Sequence, residues 1–167
     1  MLFRSFRASE RAFQLMMQVA GRAGRRNDRG RVVIQTSQPK HPVIRFVASG
    51  DYHAMANSEL AERRAFGYPP YSHLIRLLLR HEEYNLLHHA AHALATVMRK
   101  KFGARVMGPV SAALEMLRGE HRAEILLKIE SGASMQRART LLREAIATAE
   151  GDPQYKTVKI SVDVDAL

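Results

Sequence analysis

The sequence predicts an α+β fold, and three observations predict it. Three stretches alternate apolar and polar residues with the period of a half-buried strand: "SHLIRLLLR" from Ser72, "HRAEILLKIE" from His121 and "TVKISVDVD" from Thr157. Two longer stretches between them, 83–101 and 134–149, carry apolar residues at helical spacing. The first forty residues hold one helical stretch and one short apolar run, too little to close a core.

Taken in order, Ser9 followed by "ERAFQLMMQVA" reads as an N-cap and an amphipathic helix, with Glu10 suited to the positive end of the helix dipole. "RNDRG" is a turn, and the β-branched run "RVVIQT", Arg31 to Thr36, predicts a strand. "SQPKHP" is a loop with two prolines. A second helix is expected from Asp51 to Phe66, with Gly67 as its stop. "GYPPY" then makes a stiff, extended link, the alternative being a polyproline ligand. In the run from Ser72, Ile75, Leu77 and Leu79 share one face, and Arg76 and Arg80 the other. The helix over 83–101 buries Leu87, Ala91, Leu94 and Met98. "ARVMGPV" is a short strand ended by Gly108-Pro109. The next run sets Ala123, Ile125, Leu127 and Ile129 against Arg122, Glu124, Lys128 and Glu130. The last points Val158, Ile160, Val162 and Val164 inward. The order from Ser72 is β-α-β-β-α-β, which predicts a ferredoxin-like sandwich with two helices on one face of one sheet.

The expected divisions are 1–48, a linker over 49–71, and a domain over 72–167. Residues 1–48 read as the last α-β unit of a sheet whose other strands lie elsewhere, so the chain is expected to be the C-terminal piece of something longer.

At 46% hydrophobic residues in 167, the chain can bury a core. No apolar run is long enough to span a membrane, and "MLFRSFRASER" lacks the apolar region of a secretory signal. Cysteine is absent, which excludes disulfides and cysteine metal sites and fits a reducing cytoplasm. The formal charge of +10 points to an anionic partner. Residues 1–40 hold nine lysines and arginines against two acids, and the remainder seventeen against fourteen, so the basic character is concentrated early.

The chemistry gathers in "FQLMMQVAGRAGRR", Phe13 to Arg26. On a helical wheel Gln14, Gln18, Gly21, Arg22 and Arg25 share one sector, with Arg11 on that side. Phe13, Met16, Met17, Ala20 and Ala23 fill the rest. Each interior glycine costs about 1 kcal/mol relative to alanine. A bare backbone beside two guanidinium forks suits a polyanion that approaches closely. The bland alternative is a solvated basic face at a helix C-terminus, where arginines are favourable anyway.

Other basic positions are Arg26 and Arg29, Arg76, Arg80 and Arg122 on the open sheet face, and Arg118 in the turn "LRGEH". They are candidate phosphate contacts or ordinary solvated charges. The open face offers no aromatic on its strands for stacking. "HHAAH" places His88 and His92 one helical turn apart beside His89, without a carboxylate nearby, so a polar face is favoured over a metal site and no metal ligand is assigned.

"QVAGRAGR", Gln18 to Arg25, resembles motif VI of superfamily 2 helicases, Q-x-x-G-R-x-G-R. The flanks "FRASERAFQLMM", "GRVVIQTSQPKHPVI", "DYHAMANSELAERRAFGYPPYSHLI", "MGPVSAALEMLRGEHRAEILLKI" and the final "DVD" resemble the C-terminal part of the PriA family. These are the bacterial primosomal protein N′ helicases of replication restart. The resemblance covers nearly the whole chain in order. It departs where "PDFRA" reads Arg4-Ser5-Phe6-Arg7-Ala8, and where the proline after "DVD" is Ala166. It implies a 3′→5′ ATP-dependent DNA helicase of the bacterial cytoplasm, with residues 1–48 the remnant of its second RecA-like lobe. By position, Gln18, Gly21, Arg22 and Arg25 would face the ATP phosphates. Arg22 and Arg25 would be catalytic and Arg25 the finger, while Gly21 and Gly24 would be structural. It also implies branched or forked DNA, the single-stranded DNA-binding protein and primosome proteins as partners.

The sequence contains no G-x-x-x-x-G-K-[ST] loop, no acidic D-E-x-H-type motif for Mg²⁺, and none of the family's zinc-binding cysteines. The chain by itself is therefore expected neither to hydrolyse ATP nor to unwind DNA. The competing reading is a stand-alone ferredoxin-like module that binds nucleic acid or protein and has no enzymatic role.

Overall fold

A computed structural model describes residues 6–23 and 31–165. They form two compact units, one ending at Phe66 and one beginning at Gly67.

The first unit holds α1 (Ala8–Arg22), α2 (Pro42–Ser49) and α3 (Tyr52–Phe66). Its core is small: Phe13, Val43 and Met55 are buried, with Met16, Met17, Ile44, Phe46 and Val47 packed around them. Helix α1 begins earlier than its sequence indicates. Arg7 is the N-cap and caps with no side chain, and its carbonyl already accepts from Arg11 N–H at 2.9 Å, so Ser9 falls inside the first turn. Helix α2 was not expected, although its signals are all local. The His41 ring accepts from Val43 N–H at 3.3 Å, Pro42 stands in the first turn, and Gly50 ends the helix at φ 67°. Asp51 caps α3 by accepting from Ala54 N–H at 2.9 Å.

The strand expected at Arg31–Thr36 does not form. All four strands among the described residues belong to the other unit, so this run has no ladder to join. Val33 is left 80% exposed.

The second unit runs β1 (Ser72–His81), α4 (Tyr84–Phe102), β2 (Val106–Leu117), β3 (Glu120–Glu130), α5 (Met135–Glu150) and β4 (Lys159–Val164). Short 3₁₀ turns at Gly103–Arg105 and Pro153–Tyr155 lead into β2 and β4. This is the expected order of elements, and the α+β class holds. The strands lie in the order β2-β3-β1-β4 with every pair antiparallel. One face carries the core: Ile75, Leu77 and Leu79 of β1 and Ile125, Leu127 and Ile129 of β3 pack against Leu87, Leu94 and Met98 of α4 and Leu142 of α5.

Two features differ from expectation. Strand β2 does not stop at Gly108-Pro109 but continues to Leu117. A register shift between Met107 and Val110 takes up the proline, which has no N–H to offer a ladder. Val162 and Val164, expected inward, are 41% and 44% exposed because β4 is the edge strand and its outer flank has no neighbour. The terminal "DVD" instead clamps β4 to β1. Asp163 lies 2.8 Å from Arg76 Nη2, and Asp165 accepts from Leu74 N–H at 2.8 Å and meets His73 Nδ1 at 3.0 Å.

Candidate functional site

Helix α1 sorts its residues as the wheel indicated. Phe13 is buried and Met16, Met17 and Ala20 are half-buried, whereas Gln14, Gln18, Gly21 and Arg22 are exposed. Gln14 donates weakly to Glu10 at 3.4 Å, one turn back. A Cβ built on Gly21 would meet nothing within 4 Å, so no neighbour among the described residues demands the glycine. Arg11, Gln14, Leu15 and Gln18 line a shallow depression on this side. Leu15 and Val19 are 63% and 57% exposed, so the polar face is flanked by uncovered apolar surface. The regular helix ends at Arg22, and Ala23 N–H donates to Ala20 carbonyl at 3.2 Å. Gly24, Arg25, Arg26 and Arg29 lie outside the described residues. Arg22 and Gln18 are thus placed on one exposed face, and the other arginines of the motif are not placed.

The open face of the sheet brings Arg76, Arg80 and Arg122 together with Lys128 and Lys159, but not as a bare basic patch. Arg76 sits between Asp163 at 2.8 Å and Glu124 at 3.8 Å. Lys128 stacks over the Tyr68 ring at 4.6 Å, and burial lowers its pKa. Arg80 stands directly opposite Arg122 on β3 and Lys159 on β4, a row of three cations. The described residues give that row one carboxylate: Glu120 reaches Lys159 at 2.6 Å and Arg80 at 3.8 Å. The hydrogen bond from Lys159 holds the Glu120 carboxyl below its usual range. The buried Nε atoms of Arg76, Arg80 and Arg122 have no hydrogen-bond partner. Arg118 is exposed at the hairpin tip with φ 55°, followed by Gly119 at φ 81°, the positive pair that a tight two-residue turn requires.

Sequence reasoning missed an aromatic cluster at one end of this unit. Tyr84 opens α4, its ring 5.8 Å from His88 and 5.4 Å from His121 of β3. His88 continues to His92 at 4.5 Å. The spacing of Tyr84 and His88 was visible in "YNLLHH", but His121 arrives only through the register that pairs it with His81. A cavity of about 160 Å³ opens beside these rings, between α4 and the β2–β3 hairpin. It exists because the β2–β3 ladder is irregular between Ser111 and Met116, which pulls the wall of the hairpin away. Among the described residues no three His, Asp or Glu side chains are grouped to hold a metal ion. No helix among them is long and apolar enough to cross a membrane.

Comparison with known proteins follows the same boundaries. The family model described as primosomal protein N C-terminal domain matches residues 64–167. Over 148 residues, 86% of this chain, the sequence is 43% identical to the replication restart protein PriA of Treponema pallidum. It is 36% identical over 165 residues to that of Haemophilus influenzae, and 31% identical over 162 residues to that of Bacillus subtilis. The aligned parts are 22%, 22% and 20% of those relatives, so the chain spans about a fifth of the proteins it matches. The matched family model covers the entire sheet and both helices of the second unit, and the aligned relatives extend the likeness through α1. The chain belongs to the family of the primosomal protein N C-terminal domain.

Proposed function

We propose that this chain is the C-terminal portion of an ATP-dependent 3′→5′ DNA helicase that acts in replication restart and primosome assembly in the bacterial cytoplasm. The observation that carries the reading is the face of α1. An amide, a bare glycine and a guanidinium stand exposed on one side of the helix, with nothing packed on Gly21. That face, within a sequence shared with PriA proteins over most of its length, suits a nucleotide held by another part of the parent. Residues 1–48 then belong to the second RecA-like lobe, 49–71 connect, and 72–167 form a ferredoxin-like domain.

ATP and Mg²⁺ would be held mainly by segments outside this chain, because the phosphate loop and the acidic motif are not in its sequence. Bound there, ATP supplies the phosphoryl group. Arg22 and Arg25 bring fixed positive charge toward its terminal phosphates, Arg25 as the finger, and Gln18 orients between nucleotide and protein. Arg26, Arg29, Arg76, Arg80, Arg118 and Arg122 are proposed as contacts to forked or branched DNA. The single-stranded DNA-binding protein and primosome proteins are the proposed protein partners. Zinc belongs to other segments of the parent.

The test is Arg25→Ala in the full-length parent. DNA-stimulated ATP turnover should fall by about 10³-fold or more, the scale of an arginine finger, while DNA binding largely persists. The second reading, a stand-alone binding module, is favoured by one observation: the unit from Gly67 has its own closed core. It predicts near-normal turnover in that variant and weakened, less salt-sensitive DNA binding. ATP hydrolysis by this chain alone would overturn the division of the site.

A further inference from the structure

We propose that the cavity between α4 and the β2–β3 hairpin takes one unstacked nucleobase from a single-stranded nucleic acid. The proposal rests on the reading above that this unit contacts DNA, and adds where and how a base is held.

Size sets the first limit. A cavity of about 160 Å³ is close to the ~150 Å³ that accommodates a benzene ring, and well below the 300 Å³ or more of a pocket for a larger ligand. One flat ring fits, and a whole nucleotide does not. The lining sets the second. Leu87, Ala91 and Ala123 supply an apolar floor, while Tyr84, His88 and His121 supply the ring surfaces. Tyr84 is 52% exposed, so its ring has surface free for another to stack against. Stacking on such rings is tolerant of sequence because every base has a π-face. Ser111 and Glu115 on the β2 side offer acceptors for N–H groups at a base edge.

Charge sets the third. Arg122 also lines the cavity, forms no ion pair among the described residues and keeps a buried Nε without a partner. From Arg122 the row Arg122–Arg80–Lys159 leads away across the sheet, three cations sharing Glu120. A strand that leaves its base in the cavity would carry its phosphates past Arg122 toward this row. An aromatic side chain from a protein would fill the same space but has no use for the cationic row, so the base is favoured. A duplex is excluded as the ligand because its bases are stacked and paired.

The experiment compares the full 167-residue chain binding to a labelled ten-nucleotide oligothymidylate and to an abasic oligomer with the same backbone. Anisotropy at low salt should show the thymidylate bound roughly tenfold more tightly, the scale of one stacked base. Tyr84→Ala should remove that difference without weakening the abasic complex, and Tyr84→Phe should keep it. Arg80→Ala should weaken both oligomers alike. Circular dichroism of each variant checks that the fold is intact. Equal binding of the two oligomers, with Tyr84→Ala without effect, overturns the base pocket and leaves the DNA-contact reading standing. Binding of neither overturns both. A titration followed by the His88 and His121 ring signals in NMR gives the remaining outcome: shifts caused by N-acetylphenylalaninamide but not by thymidine would overturn the proposal in favour of a protein side chain.

Discussion

Gly108 shows how tightly single residues bind this fold to its sequence. Its φ is 94°, and a Cβ there would stand 2.8 Å from the backbone oxygen of Glu124 and 3.3 Å from Val110 N. Both neighbours are backbone, so neither can swing aside. Gly108→Ala is expected to destabilise the second unit by about 2–4 kcal/mol, read as a lower urea midpoint at unchanged slope. Gly21 is the contrast. Nothing touches it, so Gly21→Ala should leave the stability of the chain unchanged or slightly raised, and any loss should appear only as activity in the parent. Arg63 joins α3 to α1 through Glu10 at 2.9 Å and the Phe6 ring at 5.0 Å, a link no local pattern announces because the partners lie more than fifty positions away. The polar face of α1 was legible because a helix has one period. The row Arg122–Arg80–Lys159 was legible only as facing charges, since its pairing with Glu120 depends on strand register.

At the scale of elements, α4 carries a pH dependence. Partial loss of hydration lowers the pKa of His92, helped by the charges of His88, Arg99 and His89. The unfolded chain therefore binds this proton more readily than the folded one. The contribution to stability is complete above the ordinary histidine value of about 6.5 and is lost as pH falls through it toward the lower folded-state value. The melting temperature should drop between about pH 7.5 and 5.5, and His92→Gln should make the drop smaller. An equal drop in both proteins would assign it to other groups. At more acid pH, Glu130 and Glu120 follow the opposite type of group with the same direction. Hydrogen bonds from Arg105 and Lys159 hold their carboxyls low, so their ion pairs persist until pH falls well below the usual carboxylate range. The elements of the second unit were nearly all legible, because alternation and helical spacing are strong signals in an amphipathic layer. The misreadings lie where that signal is silent. Helix α2 is eight residues long and apolar enough to resemble a buried strand. The run Arg31–Thr36 has strand composition but no strand to pair with.

At the scale of the whole molecule, the two units differ in how much core they own. The unit from Gly67 buries twenty residues in one cluster, whereas the first unit buries three. Residues 67–167 are therefore expected to unfold in one cooperative thermal transition when expressed without the rest. Residues 1–66 are expected to be cleaved first by a protease added to the intact chain, because so small a core leaves a unit of this size marginal. Non-cooperative melting of 67–167, or initial cleavage inside it, would overturn this ranking of the units.

What the sequence determined by itself is the α+β class, the order of strands and helices from Ser72, the buried stripe of α4 and the polar face of α1. Each depends on contacts within one element, where periodicity alone decides which side turns inward. What only the tertiary structure decided is where separate elements meet. It paired Asp163 and Asp165 with β1, gave three cations one shared carboxylate, brought His121 to Tyr84, and opened a cavity where β2 leaves its register. It also withheld a strand from Val32–Ile34, since a strand is made by its neighbour's hydrogen bonds and not by its own composition.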